Sequence, residues 1–172
     1  MIKVMLFVGL FVLVTTTKAQ TVGDTIPVFN LTTTSGQPFQ LDTTLSKVTI
    51  LLFWATWNPA SMELLQELKE QYAFINPIKR GERILNLEVI DMSIDTDEKL
   101  LALNLKREDL PWSGHLADYK GWESIVLNQL KITKVPTLLI LNEQRKVIVA
   151  DPEPKQLRSI LSNLKMNNQL SN

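Results

Sequence analysis

The sequence contains no cysteine among its 172 residues. Without a thiol, this chain cannot form a disulfide, hold a metal through thiolate ligands, bind an iron–sulfur cluster or use a cysteine nucleophile. It contains one histidine, His115, so any mechanism that needs an imidazole must use that residue. The folded state must therefore be stabilised by packing and hydrogen bonds alone.

An excess of positive charge is also absent. The whole chain has 18 basic and 18 acidic residues, and without its first nineteen residues, which include two lysines, 16 basic residues remain against 18 acidic ones. Proteins that bind a nucleic-acid backbone do so largely with clustered Lys and Arg side chains. We therefore expect no nucleic-acid partner. A hydrophobic content of 45% with 21% charged residues is typical of a globular domain.

The N-terminus has the pattern of an export signal. A short basic start, Met1–Lys3, precedes the apolar run Val4–Val14 and a small-residue exit, Thr15–Ala19. The apolar run is shorter than the roughly 20 residues that a membrane-spanning helix needs. We predict a signal peptide over 1–19, cleaved before Gln20, and a secreted or periplasmic mature chain without a stable membrane anchor. The alternative is a short anchor that stays on the protein.

Alternating and continuous apolar stretches predict an α/β domain. Two extended stretches, Phe29–Thr32 and Pro38–Leu41, flank a Ser-Gly-Gln turn and predict a β-hairpin. Continuous apolar runs at Lys47–Ala55 and Ile84–Ile94 are typical of strands covered on both faces. Two further short strands are expected at Leu138–Leu141 and at 146–149. Four helices are predicted from helical spacing: one from Met62 that ends before Pro77, then Thr96–Glu108, Trp122–Ile132 and one containing Leu157, Ile160, Leu161 and Leu164, with residues after Met166 frayed.

This order of elements predicts a mixed central sheet with helices on both faces, preceded by the hairpin. Residues 111–115, between the second and third helices, are expected to form a loop. No repeat or linker separates a second domain, so we predict one domain over residues 20–172 with its core at about 22–165.

Several motifs in this order resemble one family. FWATWNPAS, at residues 53–61, resembles the FWATWCPPC segment of the thioredoxin superfamily, and Val135-Pro136-Thr137 resembles its second hallmark, a cis-proline that faces the active site. VGDTIPVFNLTTTSGQPFQL and LPWSGHLADYKGWES are similar to segments of the TlpA-like, redoxin-type branch of exported thiol–disulfide oxidoreductases. The resemblance implies a thioredoxin fold over essentially all of residues 22–165.

The same resemblance implies a loss of chemistry, because Asn58 and Ser61 stand at the two cysteine positions. In the family, the first cysteine attacks a disulfide as a thiolate and the second resolves the mixed intermediate. An amide and a hydroxyl cannot do this, so thiol–disulfide exchange is impossible for this chain alone, and no catalytic residue and no cofactor is expected. Leu52 stands where typical thioredoxins bury an aspartate.

Asn58 and Pro59 together have the pattern of a helix start. Asparagine is among the best N-cap residues and proline is favoured at the first helical position, so we expect the Asn58 side chain to accept from the amide of Ala60 or Ser61. The substitution thus removes the nucleophile and keeps the helix start.

A binding surface for protein or extended peptide follows from the family's use of this region. We predict that it comprises Trp57, Asn58, Pro59, Ser61, Val135, Pro136 and Thr137, with strand addition beside Pro136. Trp54 is expected in the core. The alternatives are a family member that is an oxidoreductase by homology alone and an enzyme that works without cysteine in the same cleft.

Two other sets of residues invite a chemical interpretation. Ser61, His115 and Asp118 contain the residue types of a hydrolytic triad, but no G-x-S-x-G pattern surrounds the serine and His115 is expected in a solvated loop. Four acidic residues near a strand end invite a metal interpretation, but they lack EF-hand spacing and are better explained by a helix start, so no metal site is predicted: Asp91, Asp95, Asp97 and Glu98.

Overall fold

The computed structural model describes residues 19–41, 48–75, 78–79, 82–83 and 87–170. The predicted signal peptide, apart from its last residue, lies outside this part of the chain. None of the helices in these ranges combines the length and apolar character that crossing a bilayer requires.

Within the described ranges the chain forms nine strands and four α-helices. The strands are β1 (Asn30–Thr32), β2 (Pro38–Gln40), β3 (Val48–Trp54), β4 (Ile78–Lys79), β5 (Glu82–Arg83), β6 (Leu87–Ser93), β7 (Gly114–Ala117), β8 (Thr137–Asn142) and β9 (Val147–Ala150). The helices are α1 (Pro59–Ile75), α2 (Glu98–Glu108), α3 (Ile125–Gln129) and α4 (Pro154–Leu170), with a short 3₁₀ helix at Gly121–Glu123.

A mixed five-stranded sheet has the order β7-β6-β3-β8-β9. Strands β3, β6 and β7 run parallel, whereas β8 is antiparallel to both β3 and β9. The predicted N-terminal hairpin is confirmed, since β1 and β2 pair antiparallel. Because β3 lies in the middle of the sheet and all its residues are buried, its continuous apolar run is explained by cover on both faces.

Two hydrophobic clusters provide that cover. Alternate residues of β3, such as Ile50 and Leu52, pack with α1, α2 and α4 on one face, where Leu65, Leu101 and Leu161 are buried. The intervening residues pack on the opposite face with α3 and the N-terminal segment, including Ile26, Phe29 and Leu127. The predicted mixed sheet with helices on both faces is confirmed.

Several predicted boundaries are wrong. The expected loop after α2 contains strand β7, which forms because β6 offers a parallel edge at that point. The predicted helix at Trp122–Ile132 is divided, since Ser124 has extended backbone (φ −55°, ψ 130°) between the 3₁₀ helix and α3. The second helix begins at Glu98, not Thr96. The C-terminal segment, predicted to be frayed after Met166, is helical as far as Leu170.

Gly114 provides a test of how closely β6 and β7 approach. A Cβ atom at this position would lie 2.8 Å from the Val89 carbonyl oxygen and 3.2 Å from the Ile90 Cα. Both atoms belong to the backbone of β6 and cannot rotate away, so we expect Gly114→Ala to lower the free energy of unfolding by about 1–3 kcal/mol, the usual cost of overpacking. Urea denaturation measures this change. Ser113→Ala, at the exposed neighbouring position, is the control and should be nearly neutral; equal stability of the two variants would contradict the prediction.

Candidate functional site

The turn between β3 and α1 is held by Asn58. Its backbone N–H donates to the Ala55 carbonyl at 3.2 Å, and its side-chain Oδ1 accepts from the Ser61 amide at 2.8 Å. The second bond satisfies one of the amides that a helix N-terminus leaves without an intrahelical partner. The predicted N-cap is therefore confirmed, with Ser61 as the donor and Pro59 as the first helical residue.

The same side chain links the turn to the proline loop. Asn58 Nδ2 donates to the Val135 carbonyl at 3.2 Å, and the peptide bond between Val135 and Pro136 is cis. One amide thus accepts from the helix start with its oxygen and donates to the loop with its nitrogen, a combination that only Asn or Gln offers. The two motifs that the sequence places far apart are in direct contact.

Asp95 fixes the other side of the turn. Its carboxylate accepts from the Thr56 amide at 3.0 Å, the Thr56 hydroxyl at 2.6 Å and the Ser93 hydroxyl at 2.6 Å. These hydrogen bonds satisfy a carboxylate that is only 2% exposed. The role predicted for the acidic group, a helix start, holds for Asp97, whose side chain accepts from the Leu100 amide. It is wrong for Asp95, which anchors the turn.

Asp91 is the most deeply buried of these carboxylates, at 1% exposure. It accepts from three aromatic ring nitrogens: Trp54 Nε1 at 2.8 Å, Trp112 Nε1 at 2.6 Å and His115 Nδ1 at 2.6 Å. Asp91 is also the register partner of Leu52 on the neighbouring strand. The position where typical thioredoxins bury an aspartate is apolar here, and a buried carboxylate lies one strand away.

His115 is therefore not the solvated loop histidine that the sequence suggested. It lies in β7 as the register partner of Asp91, with 19% of its side chain exposed. Burial by itself would lower the pKa of His115, but the hydrogen bond and the negative charge of Asp91, helped by the Trp112 carbonyl, together raise it above its ordinary value. Its ring also lies beside that of Trp112, with a centroid distance of 6.4 Å.

The hydrolytic triad considered from the sequence is not assembled. The Ser61 hydroxyl is buried and has no hydrogen-bond partner among the described residues. His115 bonds to Asp91, and the Asp118 carboxylate accepts from the Lys120 amide. In the described part of the chain, no group of three or more histidine, aspartate or glutamate side chains is placed to hold a metal ion.

The predicted binding residues divide into an exposed and a buried set. Trp57 is 57% exposed, Pro59 is exposed, and three others are partly exposed, namely Asn58, Val135 and Pro136. We call these five residues the turn surface. Ser61 and Thr137 lie beneath it as buried residues, and the Thr137 hydroxyl donates to the Lys134 carbonyl. The predicted burial of Trp54 is confirmed.

Grooves lie on both sides of the turn surface. One, of about 630 Å³, is lined by Trp57 together with Tyr119 and Trp122. The other, of about 230 Å³, is lined by Pro136, Ala60, Leu64 and residues of the segment before α4. No local pattern in the sequence marks Tyr119 and Trp122 as site residues, although both lie in the segment LPWSGHLADYKGWES, which resembles the family.

Comparison with known proteins places the chain in a family. The family model described as thioredoxin-like matches residues 46–147, which is more than half of the chain. The chain belongs to this family. The predicted membership of the thioredoxin superfamily is confirmed, and comparison of this thioredoxin-like chain with curated proteins gives no significant match.

Solved structures share the fold of this thioredoxin-like protein at low sequence identity. The C-terminal domain of a proposed thiol-disulfide oxidoreductase from Bacteroides thetaiotaomicron is 23% identical with a TM-score of 0.71, covering 86% of this chain and 97% of that one. A thiol-disulfide oxidoreductase from Bacteroides fragilis NCTC 9343 is 23% identical with a TM-score of 0.69, covering 82% and 99%. The thioredoxin domain of one from Bacteroides vulgatus is 15% identical with a TM-score of 0.71, covering 85% and 99%.

The two bonds of Asn58 can be separated by substitution. Asn58→Ala loses both, and we expect it to lower the free energy of unfolding by about 1–2 kcal/mol, the range for losing an N-cap and one further hydrogen bond. Asn58→Ser keeps a capping oxygen but is too short to reach Val135, so it should fall between the wild type and the alanine variant. Chemical denaturation of the three proteins tests this order. If serine is as destabilising as alanine, the cap contributes nothing and the prediction is wrong.

His115 should make stability depend on pH. Because its pKa is higher in the folded than in the unfolded state, its contribution is fully present below about pH 6.5, the unfolded value, and is lost as the pH rises through the folded value. We expect the stability difference between the wild type and His115→Gln to be larger at pH 5.5 than at pH 8.5. Urea denaturation at both pH values measures it. Leu103→Ala, an exposed control on α2, should show no such change; a difference that grows with pH would contradict the assignment.

Proposed function

We propose that this chain is an exported thioredoxin-like domain that is inactive in thiol–disulfide exchange and binds a protein or an extended peptide through the turn surface. Export rests on the predicted signal peptide. The loss of redox chemistry rests on composition, because no residue of the chain can supply a thiolate. Binding rests on the geometry around Asn58.

The observation that carries the proposal is the double hydrogen bond of Asn58. It holds the helix start and the cis-proline loop together at 2.8 and 3.2 Å although no cysteine remains to be positioned. An N-cap alone would satisfy the start of the helix. The additional hydrogen bond from Asn58 to Val135 is therefore not needed for the helix, and it supports a function for the two segments that it joins. The link holds Val135 against Asn58, the residue that follows the exposed Trp57 in the chain, so a strand-pairing edge and an aromatic side chain belong to one surface.

The backbone at Val135 suits strand addition. Among the described residues, no partner accepts a hydrogen bond from the Val135 N–H. Its carbonyl accepts from Asn58 but retains a second lone pair. An extended peptide can therefore pair with both groups, while Trp57 supplies an apolar anchor of the type that dominates interface energetics.

Binding can be tested with an unfolded chain whose thiols are blocked. We expect reduced, carboxymethylated α-lactalbumin to shift the NMR signals of residues 56–59 and 135–136 in the ¹⁵N-labelled mature chain. Trp57→Ala should weaken binding about 30-fold, because truncating an aromatic anchor costs on the order of 2 kcal/mol. Leu103→Ala removes a side chain of similar exposure on α2 and should leave the affinity unchanged.

Three results would contradict this proposal. Absence of shifts at the turn surface would remove the binding site, and equal weakening by Trp57→Ala and Leu103→Ala would show that contact with the probe is nonspecific. A shift confined to other residues would place the binding function elsewhere on the domain.

The loss of redox chemistry has its own test. In the reduction of insulin by dithiothreitol, the wild-type chain should give no acceleration, since neither Asn58 nor Ser61 can form a mixed disulfide. The double variant Asn58→Cys, Ser61→Cys restores both thiols on the same fold and is the matched comparison, expected to accelerate the reaction. Acceleration by the wild type would overturn the proposal.

A further inference from the structure

The larger groove beside the turn surface has aromatic walls. Three aromatic residues line it, namely Trp57 from the turn, Tyr119 and Trp122, and together they border a volume of about 630 Å³. Trp57 and Trp122 are 57% and 46% exposed, which is unusual for the largest apolar side chains. We call this feature the aromatic groove.

The backbone of the segment after β7 places one non-glycine residue, Tyr119, in an unfavourable conformation. Tyr119 has a φ of 56° and Gly121 has a φ of 56°, so two residues of a short segment are in the left-handed region. For tyrosine this conformation is uncommon and costs energy. Gly121 has a second reason to be glycine, since a Cβ there would lie 3.1 Å from Thr96 Cγ2 in the wall of the groove. The strained backbone brings Tyr119 and Trp122 to the same groove as Trp57.

Charges around the groove favour a cation. Lys120 and Glu123 line it and balance each other. A further carboxylate, Glu98, lies close enough to Tyr119 for its charge, together with burial, to raise the pKa of the tyrosine hydroxyl. Asp118, whose carboxylate accepts from the Lys120 amide, is a third carboxylate beside the same segment, so among these four charged groups carboxylates outnumber the one lysine. Aromatic faces attract cations through their quadrupole, and nearby carboxylates add to this attraction.

We infer that the aromatic groove accepts the cationic side chain of an arginine in the segment that binds the turn surface. This inference rests on the proposed function, because the arginine reaches the groove from a chain paired at Val135. The planar guanidinium stacks on Trp57 or Trp122 and donates to Glu123 at the rim. Lys120 opposes the same cation, so it acts against binding.

One experiment separates the effect of the arginine charge from the effect of its shape. The probes are two peptides, acetyl-GSVRVSG-amide and the same peptide with citrulline in place of arginine, which has nearly the same shape and no charge. Affinity is measured by ¹⁵N NMR titration of the mature chain. We expect the arginine peptide to bind about 3- to 30-fold more tightly, as cation–π attraction predicts, and the ratio to fall when salt is raised.

Substitutions at the rim make the test specific. Glu123→Gln should reduce the arginine-to-citrulline ratio, and Lys120→Gln should increase it, because each removes one exposed charge of opposite sign. Trp122→Ala should also reduce the ratio, because it removes one of the two rings on which the guanidinium can stack. Leu103→Ala on α2 is the matched control and should change neither affinity.

The outcomes distinguish this inference from the proposed function. Equal affinity of the two peptides, or tighter binding of citrulline, with shifts at residues 56–59 and 135–136, would overturn the cation site and leave the turn surface as a peptide site. An unchanged ratio in Lys120→Gln and Glu123→Gln would also overturn it. If neither peptide nor the unfolded protein shifts any signal, both the cation site and the proposed peptide site at the turn surface are contradicted.

Discussion

Strand β3 is buried on both faces, and the need to cover it places the rest of the domain. Its alternate residues belong to two separate clusters, one completed by α1, α2 and α4 and the other by α3 and the N-terminal segment. A strand in this position cannot leave polar backbone groups unpaired, so it requires a hydrogen-bonded neighbour on each side, and β6 and β8 fill those places. The strand ends at Trp54, where the turn begins.

The two buried carboxylates near the end of β3 are both hydrogen-bonded. Asp91 and Asp95, both almost inaccessible, receive three donors each from side chains and backbone within the domain. Removing any one donor would leave a buried carboxylate partly unpaired, which costs more than the hydrogen bond itself contributes. Asp91 connects β6, β7 and the end of β3, so it links His115 to the strand that carries the turn.

Asn58 holds the geometry of the turn in a chain that contains no thiol. Its two hydrogen bonds join the helix start to the cis-proline loop, and neither bond needs a sulfur. The amide is uncharged at any accessible pH, so the turn has no titrating group where the family has its nucleophile. The exposed rings of Trp57 and Trp122 leave aromatic surface accessible beside it.

Local patterns in the sequence were sufficient for the long elements, the hairpin, the N-cap at Asn58 and the family. They were not sufficient for β7, because Gly114–Ala117 has no strand pattern of its own and is extended only where it pairs with β6. For the same reason, His115 was predicted in a solvated loop, whereas it lies in β7. The division of the third predicted helix was missed as well, since one extended residue, Ser124, interrupts an otherwise helical pattern.

The sequence by itself determined that this chain has no thiol, which is a matter of composition, and that it has a thioredoxin-like fold, which its motifs indicate by their resemblance to that family. Neither conclusion needs a knowledge of long-range contacts. Only the tertiary structure decided which residues meet. The bond from Asn58 to Val135, the three ring donors on Asp91 and the groove that Trp57 shares with Tyr119 and Trp122 all join residues far apart along the chain. Such contacts depend on how the sheet and the backbone of the connecting segments place side chains in space, and no local pattern records that placement.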